Sequence, residues 1–312
     1  MLKSYINIIF SIIVLLTFVS IETHSMPNEI NISKNMINQF DKSILALTKK
    51  YSLPGLAIGV SFNDSLIFTK GIGFSDLNKK IKVTPDTPFR VASLTKTISS
   101  TLIMQLLEKN VIDLNWKIKD YYPDYLGSCK RILGYFEQEM PEYSFLLNKY
   151  EPQRDDILLK HHLSHTAERN PGDHYKYNGF LFGMLTDVIE VVTKTKFDSL
   201  VNKEIIQRLA LNNSLASQLD TSNPDLLKSL AKPYILNNDG SFTLAEFPDP
   251  ELNAGAGFVS SVTDLMLFDN AIDQNILISK ASKERQFSSY ILNDGSLSPY
   301  GLGWFTQKYK GY

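Results

Sequence analysis

A long apolar run that begins with a serine and a lysine constrains this fold more than any other part of the sequence. The run extends from Ser93 to Asn110. Large apolar side chains recur in it at helical spacing, namely Ile98, Leu102, Ile103, Leu106 and Leu107. Neither glycine nor proline interrupts it, so the spacing predicts a helix of the core over residues 93–110.

Ser93 and Lys96 stand three residues apart at the start of that helix. Side chains at this spacing share a helix face, with Cβ atoms about 5–6 Å apart, so the lysine amine can reach the serine hydroxyl. A lysine whose pKa is lowered by burial is neutral near pH 7 and can take the hydroxyl proton. The unpaired N–H of a residue at a helix start also suits an oxyanion. Ser93 is thus a candidate nucleophile, and the alternative is an ordinary serine in a first helical turn.

A second Ser-x-x-Lys sequence runs from Ser229 to Lys232. Pro233 follows Lys232 directly, and the residue before a proline is disfavoured in the helical region. This pair is therefore not expected to share a helix face. We expect Ser93, and not Ser229, to be the reactive serine.

Several segments, taken in order, resemble the class C β-lactamase and D-alanyl-D-alanine peptidase superfamily, including its esterase-like members. They are Pro54 to Val60, Gly71 to Phe74, Thr84 to Lys96, Leu163 to Thr166, Pro171 to Tyr177, Ala254 to Ser261 and Tyr300 to Trp304. The likeness runs from about residue 38 to the end of the chain. The order and spacing of the segments make it more specific than any one of them.

The resemblance implies an α+β fold of the β-lactamase and transpeptidase type. Such a fold has a mainly antiparallel sheet flanked by helices and a largely helical second lobe, here at about residues 97–250. The sequence agrees at its start, where residues 37–51 have the pattern of an amphipathic helix and residues 56–62 and 66–70 that of a hairpin turned by Asn63 and Asp64. We expect residues 26–312 to form this domain, with its C-terminal strands missing.

The resemblance also implies which residues act. Ser93 would attack an amide or ester carbonyl, and Lys96 and Tyr177 would pass its proton to the leaving group. Lys96 would lower the pKa of the Tyr177 phenol below its usual value of about 10, which would help Tyr177 to act as a base. The alternative for Tyr177 is a core aromatic. The substrate would be a β-lactam, a D-alanyl peptide of peptidoglycan or a small ester, and no cofactor is implied.

Two departures from the family pattern concern this site. Gly179 stands where the family has an asparagine that helps to hold the lysine and the substrate, and Asn178 can replace it only if the backbone shifts by one residue. The family's third motif, Lys-Thr-Gly or His-x-Gly, is missing before Tyr312, and the loss of one oxyanion donor costs about 10²–10³ in rate. We therefore expect a poor or inactive enzyme. The alternative to a serine hydrolase is a non-catalytic exported binding protein or a gene fragment.

Composition limits the kind of partner. The 312 residues include 32 basic and 33 acidic side chains, which give a net charge of −1. The sequence has no stripe of basic residues that could bind phosphates despite this nearly neutral net charge, so we expect no nucleic-acid partner. Cys129 is the single cysteine, which excludes an intrachain disulfide.

The N-terminus has the pattern of a secretory signal peptide. Lys3 precedes an apolar run at residues 6–19, and Thr23 and Ser25 are small residues suited to cleavage before Met26. The run is shorter than the roughly 20 residues that span a bilayer, which favours a removed signal peptide at residues 1–25 over a retained anchor. We expect a periplasmic or secreted protein with no stable membrane span after cleavage.

Two other features leave alternatives open. Residues 124–156 combine aromatic and acidic side chains and would form either a lid over the cleft or a packed surface excursion.

His161, His162 and His165, with Glu168 nearby, could place metal ligands on one helix face. A zinc protease motif needs a glutamate where His162 stands, so we expect structural roles for these histidines and no metal.

Overall fold

A computed structural model describes residues 34–62, 65–139, 141, 149–247 and 251–307. The predicted signal peptide and the predicted Asn63-Asp64 turn lie outside these residues. The α-helices are α1 (Lys34–Lys50), α2 (Thr95–Glu108), α3 (Tyr125–Glu139), α4 (Leu159–Leu163), α5 (Gly179–Gly183), α6 (Leu185–Thr193), α7 (Phe197–Val201), α8 (Pro224–Ser229), α9 (Val262–Asp273) and α10 (Lys280–Phe287). Across the described ranges, no helix combines the length and the apolar character needed to cross a membrane.

The strands pair antiparallel throughout the described residues. They are β1 (Gly55–Phe62), β2 (Ser65–Asp76), β3 (Ile81–Lys82), β4 (Phe89–Arg90), β5 (Tyr234–Leu236), β6 (Phe242–Leu244) and β7 (Val259–Ser260). They form one sheet in the order β1-β2-β3 and two separate pairs, β4-β7 and β5-β6. The predicted mixture of helices and antiparallel strands is confirmed, and β2 extends beyond the predicted residue 70.

Helices cover both faces of the three-stranded sheet. Side chains alternate between the two faces along a strand, so Phe68 and Lys70 of β2 lie on one face and Gly59 of β1 lies on the other. On the first face, Phe40 of α1 meets Phe68 edge to face at 5.3 Å. On the second face, Met266 of α9 lies where a side chain at Gly59 would have to go. The sheet is therefore the middle layer of an α/β/α sandwich.

Helix α2 forms the centre of the core. Every residue from Thr95 to Leu106 except Thr97 is buried. A helix that is buried on all sides must satisfy its polar side chains internally. Ser99 Oγ donates to Thr95 O at 3.0 Å, and Gln105 Nε2 donates to Leu277 O at 3.1 Å.

Residues near Tyr300 press directly on α2. Ser100 Oγ donates to the carbonyl of Leu302. Gly303 has a φ of +88°, and a Cβ atom there would lie 2.3 Å from the Cβ of Ser100. Only glycine allows this approach, because it has no side chain and tolerates the left-handed region. The matched segment from Tyr300 to Trp304 is thus seated against the helix that carries Lys96.

Two helices are preceded by a separate turn or short helix. The predicted helix at 93–110 begins with a 3-10 turn over Ala92–Leu94, and only then continues as α2. Helix α6 follows a separate short helix, α5, because the Asn178 side chain caps a helix start at Gly179.

The described part of residues 124–156 packs on the core. Helix α3 buries Phe136, whose ring meets Phe180 of α5 edge to face at 4.5 Å. Tyr150 is buried, and its hydroxyl lies 3.0 Å from His162 Nε2. These contacts are those expected of a packed surface excursion, the second of the two alternatives for this segment.

Candidate active site

The structure brings Ser93, Lys96 and Tyr177 together. Lys96 Nζ lies 3.1 Å from Ser93 Oγ. The Tyr177 phenol lies close to the Ser93 side chain, and Lys96 Nζ lies 5.0 Å from the centre of the Tyr177 ring. The three residues predicted from the sequence therefore form one constellation, in which the serine hydroxyl contacts both a lysine amine and a phenol.

Lys96 is a buried amine, with 2% of its surface exposed. Burial lowers the pKa of its amine from 10.5 to about 7, because an ammonium ion loses its hydration when it leaves water. About half of the molecules would hold this amine uncharged at neutral pH. An uncharged amine at hydrogen-bond distance from a hydroxyl can accept its proton.

The pKa of Tyr177 differs from the prediction. Burial raises it above the usual value of 10, and the neighbouring Ser93 side chain opposes that rise. The predicted lowering by Lys96 was wrong for the free site, because the loss of hydration that a buried phenolate would suffer outweighs the opposing contacts. Tyr177 is therefore a phenol at neutral pH, able to donate a proton.

The turn that presents Ser93 is held by a distant strand. Strand β4 pairs with β7, and Val91 N donates to Phe258 O at 3.0 Å. Thr95 Oγ1 donates to Ala92 O at 2.6 Å and accepts from Phe258 N at 3.1 Å. Ala92 has a φ of +46°, a left-handed conformation that costs a residue with a side chain about 1–2 kcal/mol. The surrounding hydrogen bonds hold this strained residue directly before the serine.

A loop after β6 supplies a contact that the sequence analysis did not identify. Lys96 Nζ donates to the carbonyl of Gly255 at 2.8 Å. Asn253 organises this loop, because its Oδ1 accepts from Gly255 N at 2.8 Å and from Ala256 N at 3.1 Å. The run Ala254-Gly255-Ala256-Gly257 was recognised as a family segment, but nothing in its sequence pointed to a carbonyl aimed at the lysine.

Asn178 and Gly179 have separate roles. Asn178 Oδ1 accepts from the amides of Phe180 and Leu181, each at 3.1 Å, and its Nδ2 donates to Glu168 Oε1 at 2.9 Å. Gly179 is the residue that faces the amine, since a Cβ atom there would lie 3.7 Å from Lys96 Nζ. The position of the family asparagine thus adjoins the lysine, and it carries no side chain.

The histidines are hydrogen-bonded parts of the core. His161 Nδ1 accepts from Leu158 N at 3.1 Å, and His162 Nδ1 lies 2.5 Å from Leu181 O. His165 Nδ1 accepts from Asn178 N at 3.1 Å, and its ring lies 4.4 Å from that of Tyr177. Burial first, and then the charge of Lys96, hold the pKa of His165 well below its usual value. Among the described residues, no three acidic, histidine or cysteine side chains converge as a metal site.

The sequence matches one family model over most of its length. The match is to the family described as Beta-lactamase and covers residues 40–312. A penicillin-binding protein of Bacillus subtilis strain 168 is 27% identical over an alignment of 280 residues that covers 84% of this chain and 61% of the relative. Protein flp of Staphylococcus aureus strain MW2 is 23% identical over 86% of this chain and 55% of its own. The chain thus spans less than two thirds of the length of these relatives.

Solved structures share the fold. A penicillin-binding protein homologue from Pyrococcus abyssi, described as octameric, superposes with a TM-score of 0.69 at 19% identity, over 86% of this chain and 64% of that one. FmtA from Staphylococcus aureus gives 0.68 at 19% identity, over 92% and 79%. The D-alanine carboxypeptidase AmpC from Burkholderia cenocepacia gives 0.63 at 19% identity, over 82% and 70%. The family match, together with this shared fold, shows that the chain belongs to the beta-lactamase family, a family of serine hydrolases.

Proposed function

We propose that this protein is a serine hydrolase that cleaves amide or ester bonds through an acyl-enzyme on Ser93. One observation carries the proposal. The Lys96 amine lies 3.1 Å from the Ser93 hydroxyl in a site whose burial lowers the amine's pKa to about 7. A catalytic base works best when its pKa lies near the working pH.

The reaction would use both partners of the serine hydroxyl. Neutral Lys96 takes the hydroxyl proton as Ser93 Oγ bonds to the carbonyl carbon. The tetrahedral intermediate then expels the amine or alcohol, which takes a proton from the Tyr177 phenol, and the Lys96 ammonium returns a proton to Tyr177. Water releases the acyl group from Ser93. The backbone N–H of Ser93 would stabilise the oxyanion, because the first amides of a helical turn have no partner within the turn.

The proposed substrate is an acyl-D-alanyl peptide of peptidoglycan, or a β-lactam, which reacts at the same kind of carbonyl. Relatives and structural neighbours described as penicillin-binding proteins or as a D-alanine carboxypeptidase support this choice over a small ester. Such substrates lie outside the cytoplasm, in agreement with the signal peptide predicted at residues 1–25. The protein would then act in the periplasm or after secretion.

One observation favours a second candidate, a binding protein that does not turn over its ligand. Gly179 adjoins the Lys96 amine and has no side-chain amide to offer it. Such a protein would bind the same ligand with slow acylation or none.

Covalent labelling distinguishes these candidates. The protein is treated with a fluorescent penicillin and with a fluorophosphonate, and the labelled peptide is identified by mass spectrometry. We expect the label on Ser93 and its loss in Ser93→Ala. Ser229→Ala is the matched control, because Ser229 has the same sequence pattern without the site. Label that persists in Ser93→Ala would refute the enzyme proposal, and absence of label from the wild type would favour the binding protein.

A further inference from the structure

We propose that Glu168 is a positioning residue for Tyr177, and that it determines how well the phenol delivers a proton to the leaving group. The inference rests on the proposed function. It concerns a residue that the sequence analysis considered only as a possible metal neighbour.

Glu168 holds the chain on both sides of Tyr177. Its Oε2 accepts from Lys176 Nζ at 2.7 Å, and its Oε1 accepts from Asn178 Nδ2 at 2.9 Å. The carboxylate thus uses its two oxygens for the two residues that flank the tyrosine. A carboxylate that bridges two residues in this way fixes the direction of the residue between them as well as its distance.

The segment that carries Tyr177 needs such support. Residues 174–178 belong to no helix or strand. His165 supplies the backbone part, because its carbonyl accepts from Lys176 N at 2.8 Å and its ring accepts from Asn178 N. Glu168 supplies the side-chain part. Together they hold the two neighbours of Tyr177 while its phenol contacts Ser93.

Burial makes this carboxylate an unusual choice for a merely structural contact. The Glu168 side chain is 2% exposed, and Lys176 is 30% exposed. Taking a carboxylate out of water costs free energy that a partly exposed lysine does not fully offset, so stability alone gives little reason to bury one here. Fixing one orientation of Tyr177 is a reason that the geometry supports.

A pair of substrates separates positioning from stability. Penicillin acylation expels an amine nitrogen that needs a proton, whereas a p-nitrophenyl ester expels a phenolate that leaves without one. Loss of a well-placed general acid costs about 10²–10⁴-fold where the proton is needed. We expect Glu168→Gln to slow acylation by fluorescent penicillin at least about tenfold, and to change the burst of p-nitrophenol from p-nitrophenyl acetate by less than about threefold. Tyr177→Phe should give the same pattern with a larger difference.

Asp264→Asn is the matched control. Asp264 is an equally buried carboxylate that accepts from Asn213 N at 2.8 Å and from Ser214 Oγ at 2.7 Å, and neither partner flanks Tyr177. It should alter both reactions by the same factor. If Glu168→Gln does not fold, as judged by its melting curve, Lys176→Gln decides the matter, with a smaller loss expected for penicillin alone.

Each outcome has one meaning. Equal losses for both substrates in the decisive variant, or no loss, would overturn the positioning role while leaving the proposed function intact. A wild-type protein that reacts with neither reagent would instead overturn the proposed function, and this inference with it.

Discussion

The two Ser-x-x-Lys segments share a sequence pattern and differ in their surroundings. Lys96 lies in the core, where its amine contacts the Ser93 hydroxyl and the Gly255 carbonyl. Ser229 lies exposed at the end of α8, where its Oγ donates to Leu226 O at 2.7 Å, within its own helix. Lys232 lies beyond that helix, and its backbone amide donates to Ser75 O. Residue types at a given spacing make a reactive pair only where the fold buries the lysine and continues the helix.

Removing the two lysines should give the largest contrast between the segments. We expect Lys96→Ala to slow fluorescent-penicillin acylation by about 10²–10⁴-fold, because it removes the base. Lys232→Ala should stay within about twofold of wild type, as is usual for substitutions away from such a site. Gel fluorescence over time measures both rates. Comparable losses in the two variants would show that the comparison between the segments is mistaken.

The pH dependence should distinguish the buried lysine from an ordinary one. Since burial lowers the pKa of Lys96 to about 7, acylation should rise with pH, reach half its maximum near pH 7 and level off above it. Penicillin acylation measured from pH 5.5 to 9 tests this expectation. A profile that rises only toward pH 10 would show that the amine is solvated.

Stability should respond to the same titration. The pKa of Lys96 is lower in the folded chain than its unfolded value of 10.5, so between pH 7 and 10.5 the unfolded chain holds more protons. Stability from this residue therefore rises with pH across that window, by at most roughly 4–5 kcal/mol. In Lys96→Met this rise should vanish, and the variant should be more stable than wild type at pH 7.

Urea unfolding of Lys96→Met and wild type at pH 7 and at pH 9 measures this difference. Comparing the two proteins removes the contribution of buried phenols and of the Cys129 thiol, which both contain. A pH slope unchanged by the substitution would contradict the burial of the amine.

A smaller effect is expected at Asn253. Asn253→Ala removes the side chain that fixes the Gly255 amide, so the carbonyl should move away from Lys96 Nζ. We expect acylation to fall about tenfold, since small displacements in a site have effects of this order or more. Asn237→Ala is the control, because the Asn237 side chain also makes a local hydrogen bond, from its Nδ2 to Ser241 Oγ at 2.9 Å, in the exposed turn between β5 and β6. Equal rates in the two variants would show that this loop has no part in the reaction.

The smallest effect is expected at Ala92. Ala92→Gly relieves a left-handed residue and should stabilise the fold by roughly 0.5–1 kcal/mol, while greater freedom beside Ser93 slows acylation by about threefold. Lys194→Gly is the matched control, because Lys194 has a φ of +53° at the end of α6. It should gain stability without losing rate. If both variants keep the wild-type rate, the strain at Ala92 has no part in presenting Ser93.

Local spacing made the helix and its pair predictable. Ser93 and Lys96 are three residues apart, on a 3-10 turn and on the helix that continues it, and the hairpin at β1 and β2 depends on nearby residues. Sequence patterns of short range were therefore enough. The Gly255 carbonyl could not be predicted, since it reaches Lys96 across 159 residues of sequence. The rise in the pKa of Tyr177 has the same origin, because it depends on burial by distant segments.

The seating of Gly303 against Ser100 has a consequence for the order in which the site is completed. The hydrogen bond from Ser100 to Leu302 joins residues that are 202 positions apart in the sequence. The ribosome therefore makes α2 long before it makes the segment that packs on it. Domains gain structure as the chain emerges, and residues still unmade contribute nothing to that structure. Until Gly303 is added, the turn after Lys96 lacks the segment that packs on it, so the core around this lysine is incomplete. We expect the nascent chain to carry a protonated, unreactive lysine, which would become a base only after Gly303 has been added.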